Sequence, residues 1–249
     1  MSSDLPIISS GLLHSTGLVI SGISTRQGGV SPDPFGLNLS YSVGDAEENV
    51  RTNRQLFFKA LGVSPEQVAI PRQIHSSIVQ YAKAPGAFPS CDGLITDIPG
   101  VYLCITVADC LPVFVLDTKR KVVAALHAGW RGTAAMIART GVTMMVEEFQ
   151  CSPEHMVAYV GPGAGVCCYN VGTDVAKMFA TEFVREDGGK TFIDLKAALI
   201  SQLAGSGIPR ESIEVSPHCT IDNSILFHSY RRDKKSSGRM MGVIGLMGV

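Results

Sequence analysis

The sequence has little charge, and what it has cancels. Asp, Glu, Lys and Arg make up 17% of 249 residues, with 21 basic against 22 acidic side chains and a formal net charge of -1. That balance offers no electrostatic case for nucleic acid or an anionic membrane as partner. Long apolar runs are also missing. The most apolar stretch, Val101 to Val107, is too short to span a bilayer. The opening Met1-Ser2-Ser3-Asp4-Leu5-Pro6 lacks the basic start and apolar run of a signal peptide. No CxxC or HExxH motif occurs, and no Ser/Gly-rich linker or low-complexity tract divides the chain. The seven cysteines lack close, regular spacing, which argues against a disulfide framework and for a reducing compartment. A soluble cytoplasmic protein is expected, acting as a monomer.

What remains is a chain built for a large core. Hydrophobic residues make up 45%, and the length suits a single α/β domain. The segment Thr25 to Gly36 reads as a loop from its Gly and Pro content. A helix is predicted from about 46 to 61, with Asp45 as N-cap, Glu48 completing a capping-box-like pair, and Gly62 as its stop. Further helices are predicted at about 133–149 and 194–204. After each of the three comes a Pro-containing turn: Ser64-Pro65-Glu66, Ser152-Pro153-Glu154 and Ile208-Pro209-Arg210. A short helix and then a strand-like run are expected to follow each turn.

The middle of the chain is the most regular. Val101 to Val107, Leu111 to Leu116 and Val122 to Leu126 read as buried strands from their unbroken β-branched and apolar content. If Thr118 and Lys119 form the tip of the hairpin between the last two, paired residues have numbers that sum to 237, and Cys110 would face His127. A shifted turn weakens that inference, because register sets which face a side chain takes.

His75, Cys110 and His127 each sit in a turn-like setting. Two neutral imidazoles and a thiolate would hold zinc with a fourth position open, as catalytic rather than structural zinc sites do. Spacing alone does not single these three out, because the gaps are long and a buried cysteine is more often a small hydrophobe than a ligand.

Longer segments carry more weight. They include Ser24-Thr25-Arg26-Gln27-Gly28-Gly29-Val30-Ser31, Gly36-Leu37-Asn38-Leu39, Asn53-Arg54, Gln73-Ile74-His75-Ser76 and Asp92-Gly93-Leu94-Ile95-Thr96. With them stand Thr106-Val107-Ala108-Asp109-Cys110-Leu111-Pro112-Val113, His127-Ala128-Gly129-Trp130-Arg131-Gly132, Gly161-Pro162 and Ser229-Tyr230-Arg231-Arg232-Asp233. By these the chain resembles the YfiH-like family, also described as laccase-domain or polyphenol oxidoreductase proteins and as purine nucleoside phosphorylases. The resemblance covers nearly the whole chain. It implies one α/β domain over residues 1–249, layered α/β/β/α with mixed sheets. It implies zinc held by His75, Cys110 and His127, with copper as the alternative. It further implies phosphorolysis of adenosine, inosine, guanosine and 5′-methylthioadenosine, with purine nucleoside and phosphate as the ligands, and adenosine deamination as a second activity.

Other residues are weighed beside these ligands. Arg26, in its Gly-rich loop, is a candidate phosphate or substrate contact or a loop-fixing cation. Asn38 would touch ribose or hold its turn. Gln73 would reach substrate, and Arg131 would touch ligand or lock its loop. Asp109 would orient His75 or His127 as a supporting carboxylate, or act as a cap. The Arg231-Arg232-Asp233 run reads as solvated surface, Trp130 as filler beneath the ligand loop, and Cys167-Cys168 as packing. His14, His155 and His218 lack a metal context. The chain departs from the family at Asn170, where glutamate is common, and at His228, where phenylalanine is. Three alternatives remain: a blue-copper-type oxidase, an amidase acting on a peptidoglycan precursor with Cys110 as nucleophile, and a binding module whose zinc is closed by His228 or Cys104.

Overall fold

Residues 5–248 are described by the computed structural model. Two six-stranded sheets lie face to face. The first runs Ile7–Ile8, Val19–Ser24, Met240–Leu246, Tyr102–Val107, Val68–Pro71, Gly86–Phe88. The second runs Ile213–Val215, Met156–Val160, Leu111–Asp117, Val122–Ala128, Gly93–Thr96, Val79–Tyr81. Each mixes parallel and antiparallel pairs. The helix Glu47–Leu61 covers the outer face of the first sheet through Phe57 and Phe58. Helices Ile137–Phe149 and Leu195–Gly205 cover the second. The layering is α/β/β/α in a single α/β domain.

Covering both faces of a sheet explains its unbroken apolar strands. In Leu111–Asp117 all seven residues are buried. Leu111, Val113 and Val115 pack toward the helices, while Phe114 and Leu116 fill the layer between sheets with Leu103, Ile105, Val123 and Ala125. Each such large side chain contributes roughly 1.5–3 kcal/mol relative to exposure. By the same alternation, Cys110 and His127 fall on the inter-sheet side, at the end of that layer.

Three sequence expectations need correction. The hairpin loop has four residues, not two, and pairs sum to 239: Pro112 faces His127, and Leu111 faces Ala128. Asp117 causes this, since its Oδ1 accepts from the N–H groups of Lys119 and Arg120 at 2.8 Å each and builds the wider turn. Because the shift is two residues, both ligands keep the predicted face. The helix Glu47–Leu61 is capped by Ala46 without a side-chain bond. Asp45 is instead occupied by Ser31 Oγ and Asn38 Nδ2. The helix predicted at 133–149 is two: Trp130–Ala134 and Ile137–Phe149, separated by Met136 at φ 64°. The Thr133 carbonyl, which an unbroken helix would offer to Ile137, accepts from Gln202 Nε2 at 2.8 Å. The three Pro-containing turns do start short 3₁₀ helices, at Pro65–Gln67, Pro153–His155 and Arg210–Ser212, each leading into a strand.

Candidate metal centre

The chain passes from the first sheet to the second through Ala108, Asp109 and Cys110. There Cys110 meets His127, from the end of Val122–Ala128, and His75, from the loop after Val68–Pro71. One ligand atom from each lies within 4.8 Å of the others. A Cβ on Gly129 would stand 2.8 Å from Cys110 Sγ and 3.4 Å from His75 Cδ2, so the bare backbone there leaves room for the thiol. His75 and Asp109 both hold left-handed backbone, at φ 61° and 82°. Non-glycine residues rarely adopt it, and such strain gathers at functional sites.

The carboxylate that organises the ligands is Asp92, which sequence reasoning quoted within a motif but gave no role. It is fully buried at the start of Gly93–Thr96. Oδ1 accepts from His127 Nδ1 at 2.8 Å and the His75 N–H at 2.9 Å. Oδ2 accepts from the N–H groups of Ile74 and Ser76 and from Ser76 Oγ, at 3.1, 2.7 and 2.8 Å. With Nδ1 donating, His127 offers Nε2 to an ion, the usual carboxylate–histidine support of a metal ligand. Burial would raise the Asp92 pKa, but these donors outweigh it and hold the carboxyl far below the usual range.

The ligands are tuned together. Burial pushes the Cys110 thiol up, yet His127 and His75 outweigh it and bring it down to about 6. Burial opposes charge on His127, but Cys110 and Asp92 raise it to about 9. A thiolate beside imidazoles is the protonation chemistry that zinc demands, with a proton released on binding.

Of the two roles weighed for Asp109, orienting a histidine or acting as a cap, the structure shows the cap, at the first turn of Tyr230–Asp233. Asp109 Oδ1 accepts from Thr220 Oγ1 at 2.8 Å and its Oδ2 from the Arg231 N–H at 2.6 Å, with no bond to either histidine. It ties the metal loop to the turn that carries Tyr230 and Arg231.

A cavity of about 640 Å³ opens above the three ligands. Gln73 and Arg131 line it, as do Tyr169, Tyr230, Lys234 and Arg239, for which sequence reasoning gave no ligand role. Arg231 also lines it, contrary to its reading as solvated surface, and so does Trp130, which packs against the core as expected. The cations lie over aromatic rings: Arg131 over Trp130 at 4.4 Å, Arg231 over Tyr169 at 4.9 Å, Arg239 over Tyr230 at 5.4 Å. Gln73 is held by Thr106, whose N–H and Oγ1 reach Gln73 Oε1 at 2.8 Å.

Arg26 and Asn38 lie outside the lining. Arg26 donates to the carbonyls of Ser224 and Pro34, at 3.1 and 2.9 Å, and fixes its loop. Asn38 is buried and bonds Ser40, Asp45 and the Arg239 N–H. Among the described residues, neither Cys104 nor His228 closes the site. Cys104 is buried in the first sheet, and His228 is buried with no partner for either ring nitrogen. The donor set is therefore incomplete on the protein side, which fits a catalytic ion better than a structural one.

A family model described as multi-copper polyphenol oxidoreductase laccase matches residues 20–247. A Deinococcus radiodurans protein named purine nucleoside phosphorylase is 41% identical over 228 residues, 90% of this chain and 87% of that one. A protein of the same name from Bacteroides thetaiotaomicron is 35% identical over 243 residues, 89% of each. The crystal structure of YlmD from Geobacillus stearothermophilus superposes with TM-score 0.88 at 34% identity, over 92% of each chain. Motifs, ligand geometry and these likenesses agree: the chain belongs to the YfiH-like family of multi-copper polyphenol oxidoreductase laccase proteins.

Proposed function

We propose that the protein is a purine nucleoside phosphorylase whose site is completed by zinc on His75, Cys110 and His127. The observation that carries this reading is the juxtaposition of an open His₂Cys set with a cavity rich in cations and aromatic rings. Zinc there would supply Lewis acidity to a substrate atom or water at its free position. The chain's own residues account for the rest. Arg131, Arg231, Lys234 and Arg239 favour a dianionic phosphate, since guanidinium groups bind such oxygens by paired, charge-assisted hydrogen bonds. Trp130, Tyr169 and Tyr230 present rings against which a purine can stack. Held in this way, phosphate attacks the ribose anomeric carbon as the glycosidic bond breaks, giving ribose 1-phosphate and the free base. Adenosine, inosine, guanosine and 5′-methylthioadenosine share the purine and ribose that these walls would grip. Adenosine deamination is a second activity of the same cavity, with water replacing the C6 amino group.

A copper oxidase is less well supported. A multi-copper oxygen-reducing cluster needs on the order of ten further histidines, whereas this chain has six in all. No methionine lines the cavity among the described residues, so the axial ligand of a blue-copper centre is missing too.

The deciding experiment incubates metal-assayed protein with inosine, with and without phosphate, and identifies products by mass. Hypoxanthine and ribose 1-phosphate are expected, only with phosphate. A folded, zinc-loaded protein that releases no base would overturn the proposal. Cys110→Ala is expected to lose zinc and turnover while keeping its circular dichroism.

A further inference from the structure

We propose that Cys167, Cys168 and Cys219 form a second metal site, for a thiophilic divalent cation such as zinc, separate from the His75–Cys110–His127 centre. The three come from two loops far apart in sequence, yet their sulfurs all lie within 4.8 Å of one another. Cys167 and Cys168 sulfurs are 3.2 Å apart. Zinc–sulfur bonds of about 2.3 Å place tetrahedral sulfurs roughly 3.8 Å apart, so small movements bring all three onto one ion.

The backbone is shaped around this cluster. Gly163 and Cys219 form a β-bridge that pins the two loops together. The Gly165 N–H donates to Cys219 Sγ at 3.3 Å. A Cβ on Gly165 would stand 3.3 Å from Cys167 Sγ and 3.4 Å from Cys219 Sγ, crowding the space beside both sulfurs. Lys196, held by the carbonyls of Ser216 and His218 at 2.6 and 2.8 Å, brings a cation near Cys219 and Cys167. It offsets part of the charge of a thiolate cluster.

Burial raises the Cys219 thiol, but N–H groups of Asp222 and Gly165 outweigh it and hold the thiol below its ordinary value. Cys168 is pushed up to about 12 by burial and the adjacent sulfurs. A disulfide uses the group less well. Adjacent Cα atoms are about 3.8 Å apart, short of the span a disulfide prefers, so Cys167 and Cys168 are poor partners. A bridge from Cys219 to either would leave the third thiol unused.

The position gives the ion consequence. Tyr169, next to Cys168, lines the main cavity, and Thr220, next to Cys219, donates to Asp109. An ion would fasten this wall of the cavity.

The test titrates reduced, metal-free, full-length protein with cadmium and follows its thiolate charge-transfer absorbance. Two cadmium ions per chain are expected. Cys167→Ser/Cys168→Ser/Cys219→Ser should retain one and lose about three quarters of the absorbance, three of four thiolate bonds. Cys110→Ser should lose only about a quarter. Cadmium-113 NMR of the wild type needs no variant: two resonances are expected, one far downfield as for a sulfur-only environment. One ion per chain and one resonance would overturn the site, as would mass spectrometry showing Cys219 disulfide-bonded to Cys167 or Cys168 in protein purified without reductant.

Discussion

Replacing Asp92 by asparagine tests whether the ligand cage is held by this one carboxylate. The group is fully buried and accepts five hydrogen bonds, two at Oδ1 and three at Oδ2. Asparagine keeps the shape but turns one acceptor into a donor. Whichever side the amide nitrogen takes, at least two donors then face a donor. A buried donor left unpaired costs about 1–3 kcal/mol, so a loss of about 2–6 kcal/mol is expected. If the nitrogen replaces Oδ1, His127 and the His75 backbone lose their partner, and both ligands are freed to turn. Removing a carboxylate that orients a metal ligand weakens metal binding about 10–100-fold.

Two measurements separate these effects: urea unfolding in excess chelator gives the apo stability, and competition with a chromogenic chelator gives zinc affinity. The sign with pH follows from the depressed Asp92 pKa. Its ionised form stabilises the fold fully above the unfolded value of about 3.9, and that stabilisation is lost as pH falls through the folded value. The gap between wild type and variant should therefore narrow in acid. A variant with unchanged apo stability and unchanged zinc affinity would refute the role given to Asp92.

Gly129→Ala puts a methyl group where Cys110 Sγ lies 2.8 Å away. Overpacking of about 1–3 kcal/mol should appear as weaker zinc binding in the same competition assay. Arg239→Met should raise the phosphate KM, lowering kcat/KM for phosphate about 10–100-fold, with zinc content unchanged by elemental analysis. His228→Phe should flatten the acid limb of stability. Burial, and then the nearby charge of Arg26, lower the His228 pKa to about 3. Between that and the unfolded value of about 6.5, only the unfolded chain takes up the proton. Wild type thus loses up to about 1.4 kcal/mol per pH unit as pH falls. Melting temperatures of variant and wild type that run parallel from pH 7 to pH 4 would refute this.

Much of the fold is legible in the sequence because it is written locally. The strands at 101–107, 111–116 and 122–126 are unbroken apolar runs, and sheets covered on both faces produce such runs. The Pro-containing turns carry their own instructions for short helices. Errors arise where a distant group decides. Gln202 takes the Thr133 carbonyl from across the helical layer and splits one helix in two. Asp45 is claimed by Ser31 and Asn38, so it does not cap the helix that follows it. No local pattern announces either competition.

The site divides in the same way. Its three candidate ligands lie in short, distinctive motifs, but their supporting carboxylate is chosen by sheet pairing. Gly93 pairs with Leu126, which sets Asp92 beside His127 although 35 residues separate them. Asp109 is closer in sequence to a ligand, yet its left-handed turn directs it to Thr220 and Arg231. Adjacency along the chain brought Asp109 forward as a histidine partner or a cap, and it is the cap; a strand neighbour reaches a histidine ring more directly than a residue that turns its own chain. By accepting from the Arg231 N–H, Asp109 connects the loop of Cys110 to the cationic wall, so the candidate ligands and the cations of the cavity share one mechanical link. Asp109→Asn should then disturb phosphate binding more than zinc binding, whereas Asp92→Asn should do the reverse. Measuring both constants on both variants separates the two carboxylates, and equal losses in all four would dissolve the distinction.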